Sequence, residues 1–266
     1  MKQVAAAKIR RAEAAQKQAR PYADALYAML KDLMAAVGAV DHPFMKPGKE
    51  GAPLGIILMT ADKGLAGAFN SNVVRAGDVY VREHGENVVY YAVGTKARNA
   101  AKRTRFETAG SWGLSAQQKL DTAREVAAKV TDDFNGGKVS EIVLVSPKLV
   151  SMLSQKPETR TLVPITAEKA EGEEERKGPR AEVEFAPSPE AVLTRLLPKY
   201  LEFTIYSAML ETDAAFYAAQ LVAMTNATDN AGKLLDDLTL AMNKARQAAI
   251  TKEMLEIVGG AEALTG

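Results

Sequence analysis

The sequence contains no cysteine, which removes disulfides, thiolate metal sites and cysteine nucleophiles together. Only two histidines occur, His42 and His84, and neither has a partner four residues away, so a helical histidine metal pair is excluded. No stretch reaches the eighteen uncharged apolar residues of a membrane span. The opening Met1-Lys-Gln-Val4 begins no apolar run of a secretory signal. Phosphate loops and dinucleotide fingerprints have fixed glycine spacings, and neither spacing is present. No serine sits in a nucleophile-elbow setting. A net charge of +1 over 266 residues marks no nucleic-acid partner. No catalytic, cofactor or metal residue is therefore expected.

Proline is scarce where it matters most. Tyr200 to Val258 contains none, and its only glycine is Gly232. A seven-residue repeat runs through Phe203, Ser207, Leu210, Ala214, Tyr217, Leu221, Met224, Thr228, Ala231, Leu235, Leu238, Met242, Ala245 and Ala249, apolar at all but Ser207 and Thr228. The pattern predicts one helix of roughly 85–90 Å. Residues 1–37 are rich in good helix formers and predict a second helix, striped through Ala5, Ala12, Ala15, Ala19, Tyr22, Leu26, Met29, Leu33 and Ala36, with Pro21 as a weak point. Six basic residues against Glu13 alone crowd positions 1–20, either as a solvated face or as a dock for an acidic partner.

Between the helices the period changes. Leu54–Thr60, Asn87–Val93 and Glu141–Ser146 are short apolar runs bounded by breakers, as for buried parallel strands. Arg160–Ile165 and Val183–Phe185 are weaker strands, with Pro164 marking an edge. Helices are predicted over Phe69–His84, Thr95–Arg103 and Ser115–Asn135, the last capped by Ser115. Residues 166–181 are acidic and end in Gly178-Pro179, as for a mobile surface loop. Ser188 and Pro189 open the final helical segment, and Pro198 predicts a bend before Tyr200. The expected class is α/β: an antiparallel coiled coil of the terminal helices with an inserted Rossmann-like α/β domain. The expected divisions are 1–38, 53–186 and 188–259.

Four features remain. Asp62-Lys-Gly-Leu-Ala-Gly67 stands where phosphate loops stand, but it lacks their spacing and reads as a structural turn. Asp132-Asp133 and Asp236-Asp237 read as solvated helix faces. The polar run Thr225–Asn230 would weaken a free coiled coil, so packing against a partner is the economical reading. The last helix outruns the first, and much of the stripe from Leu221 to Ala249 lacks a partner within the chain. Such a stripe needs a cover.

Several stretches carry a family likeness. They are Val4-Ala-Ala-Ala-Lys-Ile-Arg10, Ala19-Arg-Pro-Tyr22, Thr60-Ala-Asp-Lys-Gly-Leu-Ala-Gly-Ala-Phe-Asn-Ser-Asn72, Leu197-Pro-Lys-Tyr200, Asn226-Ala-Thr-Asp-Asn-Ala231, Asn243-Lys-Ala-Arg-Gln-Ala-Ala-Ile-Thr-Lys-Glu253 and Glu256-Ile-Val-Gly-Gly-Ala-Glu-Ala263. Over essentially its whole length the chain resembles the gamma subunit of F-type ATP synthases, the rotating central stalk. The resemblance implies a non-catalytic shaft inside the ring of alternating alpha and beta subunits, and a foot near the proton-driven c-ring. It also implies an epsilon subunit against the α/β domain and a peripheral place on the cytoplasmic face of a bacterial plasma membrane. It implies contacts to the catalytic subunits from Met1, Lys2, Gln220, Arg246, Gln247 and Thr251, and to the ring from Glu184 and Phe185. Family members usually start some twenty residues before the stretch matching Met1, which implies a chain short at its N-terminus. A cysteine and a glycine of the family turn are Ala66 and Ala68 here, and a common arginine is Gln220. The two-cysteine insert of chloroplast forms is absent. The alternatives are a nucleotide-binding α/β domain on a coiled-coil scaffold, and a static tether.

Overall fold

The structure is a computed structural model that describes residues 1–37, 42–84, 87–114, 118–165 and 188–265. A first helix, α1 (Lys2–Val37), leads through a short 3-10 turn at Pro43–Met45 into the α/β domain. The domain follows as β1 (Leu54–Met59), α2 (Phe69–His84), β2 (Val88–Val93), α3 (Thr95–Ala101), β3 (Glu107–Trp112), α4 (Lys119–Asn135), β4 (Glu141–Ser151) and β5 (Ser154–Val163). The chain ends in α5 (Pro189–Thr265). The predicted cap Ser115, the loop 166–181 and the strand Val183–Phe185 lie outside the described residues.

The sheet order is β3-β2-β1-β4-β5, parallel throughout except for β5, which returns antiparallel beside β4. Both β1 and β2 are buried at every residue, which is why they read as unbroken apolar runs. One face of the sheet packs with α4, α1 and α5 around Ile57, Tyr91, Val126, Leu33 and Leu197. The other face packs with α2 and α3 around Ile56, Val73, Tyr90 and Ala97. This is the inserted Rossmann-like domain between terminal helices that the sequence predicts.

Three differences have physical causes. The edge strand β3 is half-exposed and alternates poorly, so Glu107–Trp112 carries no apolar signature. The strands β4 and β5 extend as a long hairpin whose outer half is only partly covered and carries no regular apolar alternation. The helix α5 starts at Pro189, with the Ser188 hydroxyl accepting from Ala191 N at 3.2 Å, and runs through Pro198. Leu193, Leu196, Leu197 and Leu201 are all buried there. Each such side chain contributes about 1.5–3 kcal/mol, enough to offset the hydrogen bond that a proline removes.

The stripe of α1 is also shifted. Its buried positions are Ala5, Ile9, Leu26, Leu30 and Leu33, with half-buried Ala12, Gln16, Ala19 and Ala23 between them. Tyr22 and Met29, predicted inward, are about half exposed, although the Tyr22 ring still meets Phe203 edge-on at 4.5 Å. Further along, Lys8 Nζ lies 5.4 Å from the centre of the Tyr217 ring. In both pairs the residue numbers add to 225, so α1 and this part of α5 run antiparallel in a fixed register. The chain divides into two compact units, Met1–Val222 and Ala223–Gly266.

Candidate functional site

In a doubly wound sheet, ligands bind outside the carboxyl ends of the strands where the strand order reverses. Here that point lies between β1 and β4. It is filled by protein. Ala61, Ala66 and Phe69, after β1, pack with Ala215, Phe216 and Ala219 of α5, and Leu149 of β4 joins them. The Phe69 and Phe216 rings meet at 5.8 Å.

Beside this plug the Asp62 carboxylate joins three strand ends. One oxygen accepts from Thr95 N at 2.7 Å and from the Thr95 hydroxyl at 2.9 Å; the other accepts from Leu114 N at 3.0 Å. A phosphate would need those amides, and a carboxylate already occupies them. Asn70 closes the turn, accepting from Ala61 N and donating to Lys63 O. Gly94 stands at φ +95, and a Cβ there would collide with the Thr60 carbonyl. Among the described residues, Leu65, at φ 63, is the non-glycine residue in the left-handed region. The structural reading of the Asp62–Gly67 turn therefore has a mechanism: the loop is a latch.

Asp133 corrects an expectation. It is buried and not on a solvated face, and it accepts from the Tyr91 hydroxyl at 2.9 Å, Lys129 at 2.8 Å and Lys138 at 3.2 Å. Burial works to raise its pKa, but these three donors outweigh burial and hold it below the usual carboxylate range. Burial drives the Tyr91 hydroxyl well above its ordinary range, helped by the bond to Asp133. The neighbouring Tyr90 rises to about 12 through burial and the charge of Asp78. His42 is lowered by burial, and its Nδ1 accepts from Phe44 N. No group of residues able to hold a metal occurs among the described residues.

The predicted contact residues fall into two sets. Met1 and Lys2 are exposed at the start of α1. The register sets Gln220, half-buried on α5, opposite Ala5, one helical turn from Met1. Arg246, Gln247 and Thr251 belong to the second unit and are exposed, with Gln247 and Thr251 one turn apart on a common face. Glu184 and Phe185 lie outside the described residues.

The second unit is a helix whose large apolar side chains are in water. Leu234, Leu235, Leu238, Met242, Ile250, Met254, Leu255, Ile257 and Val258 are each at least 49% exposed. At about 100° per residue, the first four share one sector of about 100°. Ile250, Met254, Ile257 and Val258 share another, centred about 140° further round.

The family model for ATP synthase matches residues 1–264. The chain is 42% identical to the ATP synthase gamma chain of Heliobacterium modesticaldum over 99% of its own length and 92% of that protein's. The chain belongs to the ATP synthase gamma chain family. The gamma chain of Pelotomaculum thermopropionicum is likewise 42% identical, with the same coverage. Among solved structures, a chain from the central stalk and c-ring of the Tetrahymena thermophila mitochondrial ATP synthase aligns with a TM-score of 0.64 at 22% identity, over 86% of this chain and 97% of its own. A chain from the Euglena gracilis mitochondrial ATP synthase aligns with a TM-score of 0.59 at 18% identity, over 99% and 94%. These two likenesses concern the fold.

Sequence reasoning missed the acidic fasteners of α5. Glu202 accepts from Arg124 Nε at 2.8 Å and from Lys199 at 2.9 Å; Glu211 accepts from Leu149 N at 3.1 Å; Asp213 pairs with Lys119 at 2.9 Å. The available signal was a carboxylate on an otherwise apolar stretch of helix.

Proposed function

We propose that the chain is the turning central stalk of a bacterial, proton-translocating F-type ATP synthase. It has no catalytic site of its own and passes torque between the membrane c-ring and the alpha–beta hexamer. The observation that carries this reading is the second unit, whose large apolar side chains point into different sectors at different heights. A single flanking helix covers one constant stripe. A helix exposed all round needs an enclosing partner, and a ring of alternating subunits is one. As the shaft turns, each catalytic site meets a different face of it. Differential contact then shifts that site among its nucleotide affinities.

On this reading Arg246, Gln247 and Thr251 meet the hexamer from within, and Met1, Lys2 and Gln220 meet it lower on the helix pair. Arg246 offers a fork of charged donors to acidic loops. Glu184 and Phe185 belong to the foot at the c-ring, and the epsilon subunit sits against the α/β domain. No helix among the described residues is long and apolar enough to cross a membrane. The chain is held peripherally, on the cytoplasmic face of the plasma membrane, through its partners.

The test is co-purification with the alpha and beta subunits, followed by Arg246→Ala combined with Gln247→Ala in the reconstituted enzyme. ATP-driven proton pumping falls while the circular dichroism and urea midpoint of the isolated chain are unchanged. A clean homodimer that recruits no ATPase subunits refutes the rotor reading; unchanged coupling refutes the contact assignment alone.

A further inference from the structure

We propose that Glu202, Glu211 and Asp213 form a two-sided clutch that keeps α5 from turning about its own axis inside the α/β domain. The proposal rests on the rotor reading and names the residues through which torque passes between domain and shaft.

The apolar contact between α5 and the domain is extensive, running from Leu193 to Met209 on the sheet side and through Ala215, Phe216 and Ala219 at the strand ends. Apolar burial is non-directional. It resists separation of the two surfaces, and the fit of packed side chains resists small slips, but the burial term itself sets no preferred angle. Torque about a helix axis is a sliding load. Directional bonds with charged acceptors resist such a load because rotation lengthens and bends them.

The three carboxylates are spaced for this. Glu202 and Asp213 are eleven residues apart, about three turns, so they share one face. That face meets α4, through Arg124 at 2.8 Å and Lys119 at 2.9 Å. Glu211 is nine residues from Glu202, about two and a half turns, and points the opposite way. It accepts from the backbone of β4 at Leu149. Rotation of α5 in either sense therefore strains a bond on one side or the other. The grips also anchor to regular elements of the domain, a helix and a strand, and not to loops. The Lys119–Asp213 pair is largely shielded, with side chains 17% and 18% exposed. Burial pushes Glu211 and Asp213 up from the usual carboxylate range, the second against the pull of Lys119. These grips are held in place at a desolvation cost.

Asp213→Lys sets two ammonium groups against each other, and Lys119→Glu added to it restores an opposite pair. Each is built into the complete enzyme in proteoliposomes. The readouts are proton gradient per ATP hydrolysed and the angular spread of a bead fixed to the α/β domain while the hexamer is held. Asp213→Lys hydrolyses ATP with a loss of pumping and a wider spread, and the swapped pair recovers both. Asp213→Asn shows the same direction more weakly and serves where the lysine variant fails to assemble. Wild-type pumping and spread in Asp213→Lys or Asp213→Asn, beside a lowered urea midpoint of the isolated chain, would reduce the pair to ordinary stabilisation and overturn the clutch. An unmodified chain that supports no pumping would overturn the rotor reading itself, and the clutch with it.

Discussion

Asp62→Ala tests the latch at the strand ends most directly. The carboxylate accepts three hydrogen bonds, from Thr95 N, Thr95 Oγ1 and Leu114 N. Hydrogen bonds to a charged group are each worth about 1.5–3 kcal/mol, but the full sum does not apply, because donors that reach water recover most of it. Thr95 is half-buried at the first turn of α3, and its amide and hydroxyl can hydrate. Losing a carboxylate in that capping position costs about 0.5–2 kcal/mol. Leu114 is buried, so its amide stays unsatisfied at a cost of about 1–3 kcal/mol. The expected destabilisation is therefore about 1.5–5 kcal/mol. With a urea slope of about 2–3 kcal/mol/M, the midpoint falls by about 0.5–2.5 M. Trp112 is the only tryptophan and lies two residues from Leu114, so its fluorescence follows the joined loops without a label. Asp132→Ala, on the exposed side of α4, is the control. Asp62→Asn falls between, because its amide keeps one acceptor and presents a donor to one of the amides. A midpoint shift for Asp62→Ala no larger than the Asp132 control would show that the loops hold one another and that the carboxylate is incidental.

Asp133 sets an acid limit on stability. Its folded pKa is depressed, so its contribution is fully present above the unfolded value near pH 4 and is lost as pH falls through the folded value. Urea midpoints of the wild type should drop from about pH 4 downward, and the Asp133→Asn curve should be flatter there; parallel curves would refute the assignment. The antiparallel register is open to cross-linking, because the chain has no cysteine of its own. Tyr22→Cys with Phe203→Cys should be joined by a short thiol-specific cross-linker, since those side chains face one another, whereas Tyr22→Cys with Leu210→Cys, two turns out of register, should not.

The strands visible in the sequence are those with both faces covered. Leu54–Met59 and Val88–Val93 are apolar at nearly every position because each side chain meets a packed layer. Glu107–Trp112 escaped notice because an edge strand with one half-wet face needs no apolar pattern. The outer part of β5, Lys156–Arg160, is polar for the same reason. The helix α1 was plain from composition, but its phase was not. With alanine on several faces, Ile9 and Leu30 had to decide it, and the stripe through Tyr22 and Met29 fitted almost as well. At the candidate site, the Asp62 turn was readable as structural because its glycine spacing fails the phosphate-loop pattern. Lys119–Asp213 and Arg124–Glu202 were not readable, because the partners are remote in sequence and only the fold brings them together. Asp133 misled because consecutive aspartates on a helix point to different faces, and one of those faces is the core.

The size of side chain along α5 argues for what surrounds each part. Ala214, Ala215, Ala218 and Ala219 are all buried, on neighbouring faces of the helix. Small residues are what a helix needs where a helical partner and the turn after β1 approach it from different sides. Beyond Asn226 the relation inverts, and leucine, isoleucine and methionine stand exposed. A seven-residue repeat carried through this stretch ends on Ala245 and Ala249, while Ile250, Met254, Ile257 and Val258 fall on another sector. A two-helix seam would keep its large residues on the stripe to the end, since only the stripe is buried in such a pair. Moving them off it forfeits that burial and gains something only if a partner also stands on the new side. The same geometry limits how well any one partner can hold the helix. Large apolar side chains spread over two sectors of its circumference suit a shaft that turns within a bearing.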